Sequence, residues 1–361
     1  MTEEPLKESY TGYEEEENLE IAVDEPIPPT EKPLILFVNP KSGGGLGQKL
    51  VSKIQSSKNI YIVLLPEEQN SWPEKYQSII NAPNLRVCAA GGDGTVNWVI
   101  TLLKKYYTGQ FIPPLAVIPF GTGNDMSRSL KWGKGMKQSS INRIGRKIEK
   151  MLTSDQIENI DVWNLEIEIE GSEPKNYQML NYFSIGVDAA IALNYEELRQ
   201  KQKPKSQFES LCLYVPAGSK VLGKESKIKD YMHISLFGEN DEDVSNIHEI
   251  DVQPNERTFV LQSTLTMYGG KIDWTGKQKP SMSDGKLEVK FYKGVTQLTM
   301  CQMGLAHCRS HGQAKGASLR TDGPCCFQVD GESQKLEAPA LFTITKLFNY
   351  PFILPVKLSR K

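Results

Sequence analysis

Four short apolar runs in the first third of the chain constrain its fold most. They show no alternation of apolar and polar residues, which is typical of strands covered on both faces of a sheet. Stretches with helical character separate them, and this β-α-β-α order predicts a parallel sheet with crossover helices. The runs are Leu34–Val38, Ile60–Leu65, Val87–Ala90 and Leu115–Ile118, and the helical stretches are Leu46–Ser56, Pro73–Asn81 and Thr95–Tyr106. We therefore expect an N-terminal α/β sandwich.

Three of these runs are followed by a polar, glycine-rich segment. We call them loop one (residues 39–45), loop two (residues 91–95) and loop three (residues 119–125). Open α/β sheets bind ligands at the carboxyl ends of their strands, and glycine lets backbone N–H groups approach an anion closely. Tight turns are the alternative for any one loop, but three loops at one sheet edge favour phosphate binding. Further hydrogen-bond donors in the loops are Asn39, Ser42, Thr95, Thr122 and Asn124.

The familiar nucleotide motifs do not fit these loops. A dinucleotide Gly-x-Gly-x-x-Gly pattern would need glycine at Gln48 or at Leu50. A Walker loop would need Gly-Lys-Ser or Gly-Lys-Thr where Gln48-Lys49-Leu50 stands. The chain is therefore neither a typical hydride-transfer fold nor a P-loop enzyme.

The remainder of the chain changes pattern and predicts an antiparallel β-sandwich. From about residue 155, apolar and polar residues alternate, as in Trp163–Glu170 and Leu287–Phe291. We expect an α/β domain over residues 33–155 and a β-rich accessory domain over residues 156–361. The segment 196–229 is predicted to be a helical or loop insertion.

Charge is distributed unevenly along the chain. Residues 1–32 carry eleven acids and two bases, and they are predicted to form a disordered acidic tail. The remaining residues carry 40 bases and 33 acids, a net charge of +7, which favours polyanionic partners such as nucleotide phosphates or an anionic membrane surface. No basic stripe with interleaved aromatics and no helix-turn-helix is present, so we expect no nucleic-acid partner. The N-terminus is acidic and no apolar run reaches membrane-spanning length, so a cytoplasmic location is expected.

Several motifs together resemble the eukaryotic diacylglycerol kinases. They read Asn-Pro-Lys-Ser-Gly-Gly at 39–44, Gly-Gly-Asp-Gly-Thr-Val at 91–96, Gly-Thr-Gly-Asn-Asp at 121–125 and Asn-Tyr-Phe-Ser-Ile-Gly-Val-Asp-Ala at 181–189. Residues 283–289 and 328–332 resemble two segments of the accessory region in that family, so the likeness covers about 33–348. The first two motifs are shared with sphingosine, ceramide and NAD kinases, whereas the third and fourth are more specific.

This resemblance implies a kinase that uses ATP and Mg²⁺ to phosphorylate membrane diacylglycerol. The nucleotide is expected in the cleft between the two domains, where Asp93 faces the metal and phosphate. By this likeness the residues that bind ATP are Asn39, Ser42, Gly43, Gly91, Gly92, Gly94, Thr95, Gly121, Thr122 and Asn124.

The carboxylates are the candidates for chemistry, because phosphoryl transfer needs positioning, charge neutralisation and a base. Asp93 is expected to be indispensable, and Asp330 is predicted to be a base or a metal-side partner, with Glu332 beside it as a catalytic and metal-side carboxylate. An ordinary Asp-Gly turn is the alternative for Asp330. Asp188 resembles the acid that lipid kinases place near the acceptor headgroup, and Asp125 is predicted to order loop three beside the acceptor. A simple helix cap is the alternative for each of them.

Two further sites have open interpretations. Asp284 resembles a ligand of a structural metal in related bacterial enzymes, but Ser281 stands where a second acid would help. The apolar residues from Phe348 to Leu354, followed by Lys357, Arg360 and Lys361, are predicted either to dock on an anionic bilayer or to cover the core of the β domain.

Three alternatives to a diacylglycerol kinase are carried forward. They are a sphingosine or ceramide kinase of the same fold, an NAD kinase, and a catalytically silent nucleotide-binding scaffold.

Overall fold

The computed structural model of the protein describes residues 32–55, 57–109, 111–203, 212–223, 226–239 and 242–356. The predicted acidic tail lies outside this part except for Lys32. The described chain forms two sheets and the helices that cover them. The strands are β1 (Leu34–Val38), β2 (Ile60–Leu64), β3 (Arg86–Gly91), β4 (Leu115–Pro119), β5 (Ile157–Glu168), β6 (Lys175–Met179), β7 (Tyr182–Gly186), β8 (Met232–Phe237), β9 (Ile247–Glu249), β10 (Thr258–Gln262), β11 (Leu287–Tyr292), β12 (Arg309–Ala314), β13 (Gly316–Thr321), β14 (Cys325–Val329), β15 (Glu332–Leu336) and β16 (Ala340–Ile353).

The described α-helices are concentrated in the first half of the chain. They are α1 (Leu46–Ile54), α2 (Trp72–Lys75), α3 (Gln77–Ile80), α4 (Asp93–Tyr106), α5 (Asp125–Ser129), α6 (Gln138–Ile141), α7 (Ile144–Thr153), α8 (Val187–Gln202), α9 (Tyr214–Val221) and α10 (Val295–Gln302). Single 3₁₀ turns lie at Ser42–Gly44 and Ile228–Asp230. None of the helices in the described part of the chain combines the length and apolar character needed to cross a bilayer.

The predicted α/β sandwich and antiparallel sandwich are both confirmed. Sheet A begins with the parallel order β2-β1-β3-β4, and sheet B has the order β12-β11-β10-β7-β14-β15 with antiparallel pairing throughout. The four parallel strands are largely buried because helices cover them. Sheet B packs its apolar face on β5, β8, β13 and β16 of sheet A to form the second core.

One predicted helix is broken in two. The stretch predicted as Pro73–Asn81 forms α2 and α3, because Tyr76 takes the non-helical angles φ −118° and ψ 25°. The Tyr76 hydroxyl donates a hydrogen bond to the carbonyl of Ile62 at 2.5 Å. The insertion predicted at 196–229 contains the end of α8 and all of α9, and part of the rest of it lies outside the described residues.

The last strand joins the two halves of the molecule. β16 pairs with β13 and β5 in the accessory half, and its far end lies parallel to β4 through Phe352 and Leu115. Tyr350, Phe352 and Ile353 are buried in the core of the N-terminal sheet. The predicted docking of this segment on a bilayer is therefore wrong, because its apolar side chains face protein. The alternative, in which these residues cover the core of the β domain, correctly predicted that they are buried. The core that they join is, however, that of the α/β half. Lys357, Arg360 and Lys361 lie outside the described residues.

Candidate active site

The three glycine-rich loops meet at one edge of sheet A. β1, β3 and β4 are neighbouring parallel strands, so the loops that follow them lie side by side. A Cβ on Gly121 would lie 2.6 Å from the Cα of Gly92, and a Cβ on Gly43 would lie 3.0 Å from the carbonyl oxygen of Phe120. The backbones of loops two and three, and of loops one and three, therefore touch directly. Only glycine allows this approach at Gly121.

Loop two leads straight into α4. Gly92 is the extended residue before the helix, and Asp93 begins it. A Cβ on Gly91 would lie 2.2 Å from the Oγ1 of Thr95, so the threonine side chain packs back against the glycine. The N-terminus of this 14-residue helix therefore opens at the junction of the loops, where its dipole and N–H groups favour an anion.

Asp93 holds loop three in place. Its Oδ2 accepts the N–H of Asp125 at 3.0 Å, and its Oδ1 accepts the N–H of Met126 at 3.0 Å. The carboxylate thereby caps α5. Burial raises the pKa of Asp93 to about 7, with a further contribution from the negative charge of Asp125. A Cβ on Gly123 would lie 3.4 Å from Asp93 Oδ2, so the glycine leaves this side of the carboxylate open.

Two predicted ATP-binding side chains bond to the backbone of their own loops, and one of them also bonds to a nearby residue. Buried Asn124, at φ 54°, accepts the N–H of Gly121 and donates to the carbonyls of Gly121 and Lys134. The Oδ1 of Asn39 accepts the N–H of Lys41 at 3.1 Å. These bonds give Asn124 and Asn39 loop-shaping roles. Ser42 and Thr122 are half-buried in the same loops.

Asp330 joins the accessory half to α4. At φ 51° just after β14, its carboxylate accepts the backbone N–H groups of Leu180, Asn181 and Tyr182 at 2.7–3.1 Å. The side-chain amide of Asn97 in α4 donates to the same carboxylate at 3.2 Å and to the carbonyl of Gln178 at 2.7 Å. Burial raises the pKa of Asp330 to about 6. The predicted Asp-Gly turn is present, but the aspartate also anchors the domain junction.

Asp125 makes a second contact between the two halves. Its Oδ1 accepts the hydroxyl of Thr266 at 2.9 Å and the N–H of Gly270 at 2.8 Å, and its Oδ2 accepts the N–H of Gly269 at 2.9 Å. The loop after β10 is thus fixed against loop three. The role predicted for Asp125, ordering loop three beside the acceptor, stays a prediction.

Asp188 lies at the start of α8, behind this loop. Its Oδ2 accepts the hydroxyl of Tyr268 at 2.8 Å, the amide of Gln328 at 2.8 Å and the hydroxyl of Ser184. Its Oδ1 is buried and has no hydrogen-bond partner. Burial raises the pKa of Asp188. A buried carboxylate oxygen without a hydrogen-bond partner is energetically costly.

Tyr182 lies between Asp330 and Asp188. The backbone N–H and C=O of Tyr182 bond to Asp330, and its ring packs edge-on against Tyr268 at a centroid distance of 5.8 Å. Tyr268 in turn donates to Asp188. Asp188 is therefore connected to Asp330 at the domain junction through the packed side chains of Tyr268 and Tyr182.

Glu332 is exposed at the mouth of the loops. A Cβ on Gly94 would lie 3.6 Å from its Oε1, so the carboxylate stands over the first turn of α4. Glu196 of α8 lies nearby, and its pKa is raised by burial and by the charge of Glu332. The structure thus brings Asp93, Asp125, Asp330 and Glu332 to the same region as the glycine loops.

Asp284 has different surroundings. It lies in the turn before β11, where its Oδ1 accepts the N–H of Lys286 at 3.2 Å. The neighbouring carboxylate of Asp161 is paired with the Nζ of Lys346 at 2.6 Å. Among the described residues, no group of three or more His, Cys, Asp or Glu side chains could hold a metal. The structural metal predicted at Asp284 gains no support from its neighbours.

The carboxylates at the loops do suit a magnesium ion that arrives with a nucleotide. Mg²⁺ prefers hard oxygen ligands and is commonly held by one or two carboxylates together with substrate phosphates. Asp93 and Glu332 provide such oxygens on two sides of the α4 N-terminus. Burial is the main cause of the raised pKa of Asp93 and the charge of Asp125 adds to it, and a bound cation would favour the ionised carboxylate.

Sequence reasoning missed three residues of this site: Asn97, Thr266 and Tyr268. Asn97 lies one helical turn after Asp93, so the two residues are on the same face of α4. This spacing could have identified Asn97 from the sequence. Tyr268 precedes two glycines, a turn signal at which it adopts φ 54°. Thr266 has no comparable signal.

Comparisons with known proteins agree with this architecture. The model of the diacylglycerol kinase catalytic domain matches residues 33–162, and that of the diacylglycerol kinase accessory domain matches residues 178–333. A diacylglycerol kinase structure from Bacillus anthracis superposes with a TM-score of 0.50 at 18% identity, covering 90% of this chain and 98% of that chain. A second structure from this organism gives a TM-score of 0.56 at 19% identity, covering 90% of this chain and 97% of that chain. At such identities the structures support the fold.

Curated relatives extend the match along almost the whole chain. The eye-specific diacylglycerol kinase of Drosophila melanogaster is 32% identical over 92% of this chain and 23% of its own length. Diacylglycerol kinase iota of Homo sapiens is 29% identical over 94% of this chain and 33% of its own length. The chain thus spans only 23–33% of the length of these relatives. With catalytic and accessory domains both matched in order, the chain belongs to the diacylglycerol kinase family.

Proposed function

We propose that this chain transfers the terminal phosphate of ATP to the free hydroxyl of 1,2-diacylglycerol and so forms phosphatidic acid. The observation that carries the proposal is the meeting of three glycine loops at the N-terminus of α4, with the Asp93 carboxylate beside them. Family membership supports the acceptor class. Backbone N–H groups, a helix dipole and nearby carboxylates are the parts that a nucleotide with its metal requires.

In this proposal the loops orient the triphosphate. Gly43, Gly92 and Gly121 keep the three backbones close, and Thr95 stands at the helix start. Asp93 and Glu332 would hold Mg²⁺ together with the phosphate oxygens. When bound, Mg²⁺ supplies neutralisation of the charge that develops on the transferred phosphoryl group.

The transfer step needs one proton acceptor. The hydroxyl oxygen of the lipid attacks the γ-phosphorus, the bond from that phosphorus to the β–γ bridging oxygen breaks, and ADP leaves. The hydroxyl proton passes to a carboxylate. Asp93 and Asp330 both have raised pKa values near the range that suits a base at neutral pH. Asp330 has four protein donors around it and Asp93 has two, so their variants are expected to respond differently.

Asp188 supports the acceptor assignment. Its buried Oδ1 lacks a partner, and a lipid hydroxyl could donate to it. Tyr268, Ser184 and Gln328 hold the other oxygen and fix the orientation of the carboxylate. Asp125 fastens the loop that carries Tyr268, which makes it a positioning residue for the acceptor.

An acceptor panel tests the proposal. The protein is given Mg-ATP and equal amounts of diacylglycerol, ceramide, sphingosine or NAD, and the phosphorylated product is identified by mass. We expect phosphatidic acid to form with the highest kcat/KM. A preference for sphingosine or ceramide would identify a sphingosine or ceramide kinase of the same fold. A preference for NAD would identify an NAD kinase. ATP binding with no product from any acceptor would identify a silent scaffold.

A further inference from the structure

A group of exposed apolar residues surrounds the start of α8, where Asp188 lies. It comprises Val215, Leu222, Ile272, Met300, Met303 and Leu305, which are between 41% and 77% exposed. We call this group the apolar rim. Isolated exposed apolar residues are ordinary, but a group on adjoining segments indicates an interaction surface.

The rim residues belong to three segments that pack together. These are 212–223 around α9, 265–282 after β10, and 293–309 around α10. Beneath the exposed residues, the segments share one apolar cluster with Val187, the first residue of α8. A Cβ on Gly218 of α9 would contact Val295 of α10 at 3.5 Å, and the Cys308 thiol donates to the carbonyl of Asp273 at 3.1 Å.

The exposed charges on these segments are all of one sign. Their lysines are exposed, whereas their single acid, Asp273, is buried and bonded to Lys290 and Tyr292. A surface with exposed apolar side chains, surrounding lysines and no exposed acid is complementary to an anionic lipid bilayer. The exposed lysines are Lys220, Lys271, Lys277, Lys279 and Lys293.

We propose that the apolar rim and its lysines dock this protein on the surface of an anionic phospholipid bilayer. The rim segments share one apolar cluster with Tyr268, whose hydroxyl donates to the buried carboxylate of Asp188, so the docking face adjoins the candidate acceptor region. On this face the acyl chains of a lipid can stay in the bilayer while its headgroup approaches that region. This inference deepens the proposed function and names its membrane-facing surface.

Vesicle binding tests docking without any catalysis. The full chain is mixed with vesicles of phosphatidylcholine and phosphatidylserine, without diacylglycerol and without ATP, and the bound fraction is measured by co-sedimentation. The test variant is Met303→Glu with Leu305→Glu. The matched control is Val244→Glu with Ile247→Glu, since these residues are 56% and 59% exposed and lie outside the three segments.

We expect the test variant to bind about tenfold or more weakly, because two inserted side chains become charged. The control is expected to bind like the wild type, and all three proteins should melt alike because the replaced residues are exposed. Lys271→Gln with Lys293→Gln should weaken binding to the anionic vesicles and leave binding to pure phosphatidylcholine vesicles unchanged.

Three outcomes would overturn the proposal. They are wild-type protein that does not bind vesicles, a test variant that binds as tightly as wild type, and a control variant that loses as much binding as the test variant. A test variant that also lost phosphorylation of a water-soluble short-chain diacylglycerol would assign the rim to catalysis instead. Vesicle binding that follows the prediction in a protein without kinase activity would refute the proposed function and leave the docking surface standing.

Discussion

Asp93 and Asp125 are linked twice: the N–H of Asp125 donates to the Asp93 carboxylate at 3.0 Å, and the charge of Asp125 helps to raise the Asp93 pKa. The aspartate of loop two therefore shapes loop three and also carries the charge that the proposed chemistry requires. Asp125 in turn holds the loop of Thr266, Gly269 and Gly270. Loop two, loop three and the loop after β10 therefore form one connected unit.

Asp93→Asn is expected to abolish function and weaken the fold. The amide can accept only one of the two backbone N–H groups and turns a donor toward the other, which costs about 1–3 kcal/mol. Phosphate transfer should fall by about 100-fold or more, since a charge at the metal side is lost. Chemical unfolding and kinetic assays measure the two effects. The exposed Asp322→Asn is the control, and comparable activity in both variants would contradict the role of Asp93.

Asp330→Asn should separate anchoring from proton transfer. Asn97→Ala removes one donor to the Asp330 carboxylate but leaves the carboxylate itself. Each variant should lose about 1–3 kcal/mol of unfolding free energy. If Asp330 takes the proton, Asp330→Asn will lose far more kcat than Asn97→Ala at similar stability. Equal losses in kcat would show that Asp330 acts only as the anchor.

Stability without nucleotide should fall as pH rises toward neutrality. The folded-state pKa of Asp93 is about 7 against an ordinary 3.8, and that of Asp330 is about 6. Between the ordinary pKa of an aspartate and the raised folded-state pKa, the folded protein binds more protons than the unfolded chain. The stability that each group contributes at low pH is therefore lost as the pH rises through its folded-state pKa. Each group contributes a slope of up to about 1.4 kcal/mol per pH unit. Urea unfolding across this range should give a shallower slope for Asp93→Asn, and an unchanged slope would refute the burial of an ionisable Asp93.

Gly121→Ala should disturb the contact between loops two and three. The new Cβ would lie 2.6 Å from the Cα of Gly92, a distance that backbone atoms must relieve by moving. We expect a loss of about 1–3 kcal/mol and a raised KM for ATP. Gly323→Ala is the matched control, because its Cβ would meet nothing within 4 Å. Equal ATP affinity in both variants would count against the loop contact as part of the nucleotide site.

Phe352→Ala tests the burial of the last strand. The side chain is fully buried between the parallel sheet and its helices, so its removal should cost about 3–5 kcal/mol. Leu347→Ala, at a residue 42% exposed in the same strand, should change the unfolding free energy by about 0.5 kcal/mol or less. A Phe352→Ala protein with wild-type stability would mean that this strand does not complete the N-terminal sheet.

The parts of the fold that were predictable from sequence depend on local pattern. Apolar runs without alternation indicated β1 to β4, and alternation over Trp163–Glu170 indicated the antiparallel half. The carboxyl-end rule for parallel strands indicated that the three loops would meet. These inferences succeed because neighbouring residues set the side-chain period, and because crossover helices between strands make the strands parallel.

The remaining features depend on contacts between residues that are distant in sequence. Phe352 pairs with Leu115, and Asp330 accepts from residues about 150 positions earlier in the chain. A local sequence pattern does not predict which distant residue will be the partner. The same reason explains why the last strand was open to interpretation as a membrane-docking segment. The division of the chain near residue 155 remains a prediction, because β5 and β16 contribute to both cores.

Transfer of labelled phosphate from the γ-position of ATP to diacylglycerol, with Mg²⁺ present, tests the central claim most directly. Wild-type protein is predicted to produce labelled phosphatidic acid, and Asp93→Asn protein that remains folded is predicted to produce essentially none. Wild-type protein that binds ATP but yields no labelled phosphatidic acid, or Asp93→Asn protein that yields as much as wild type, would contradict the account.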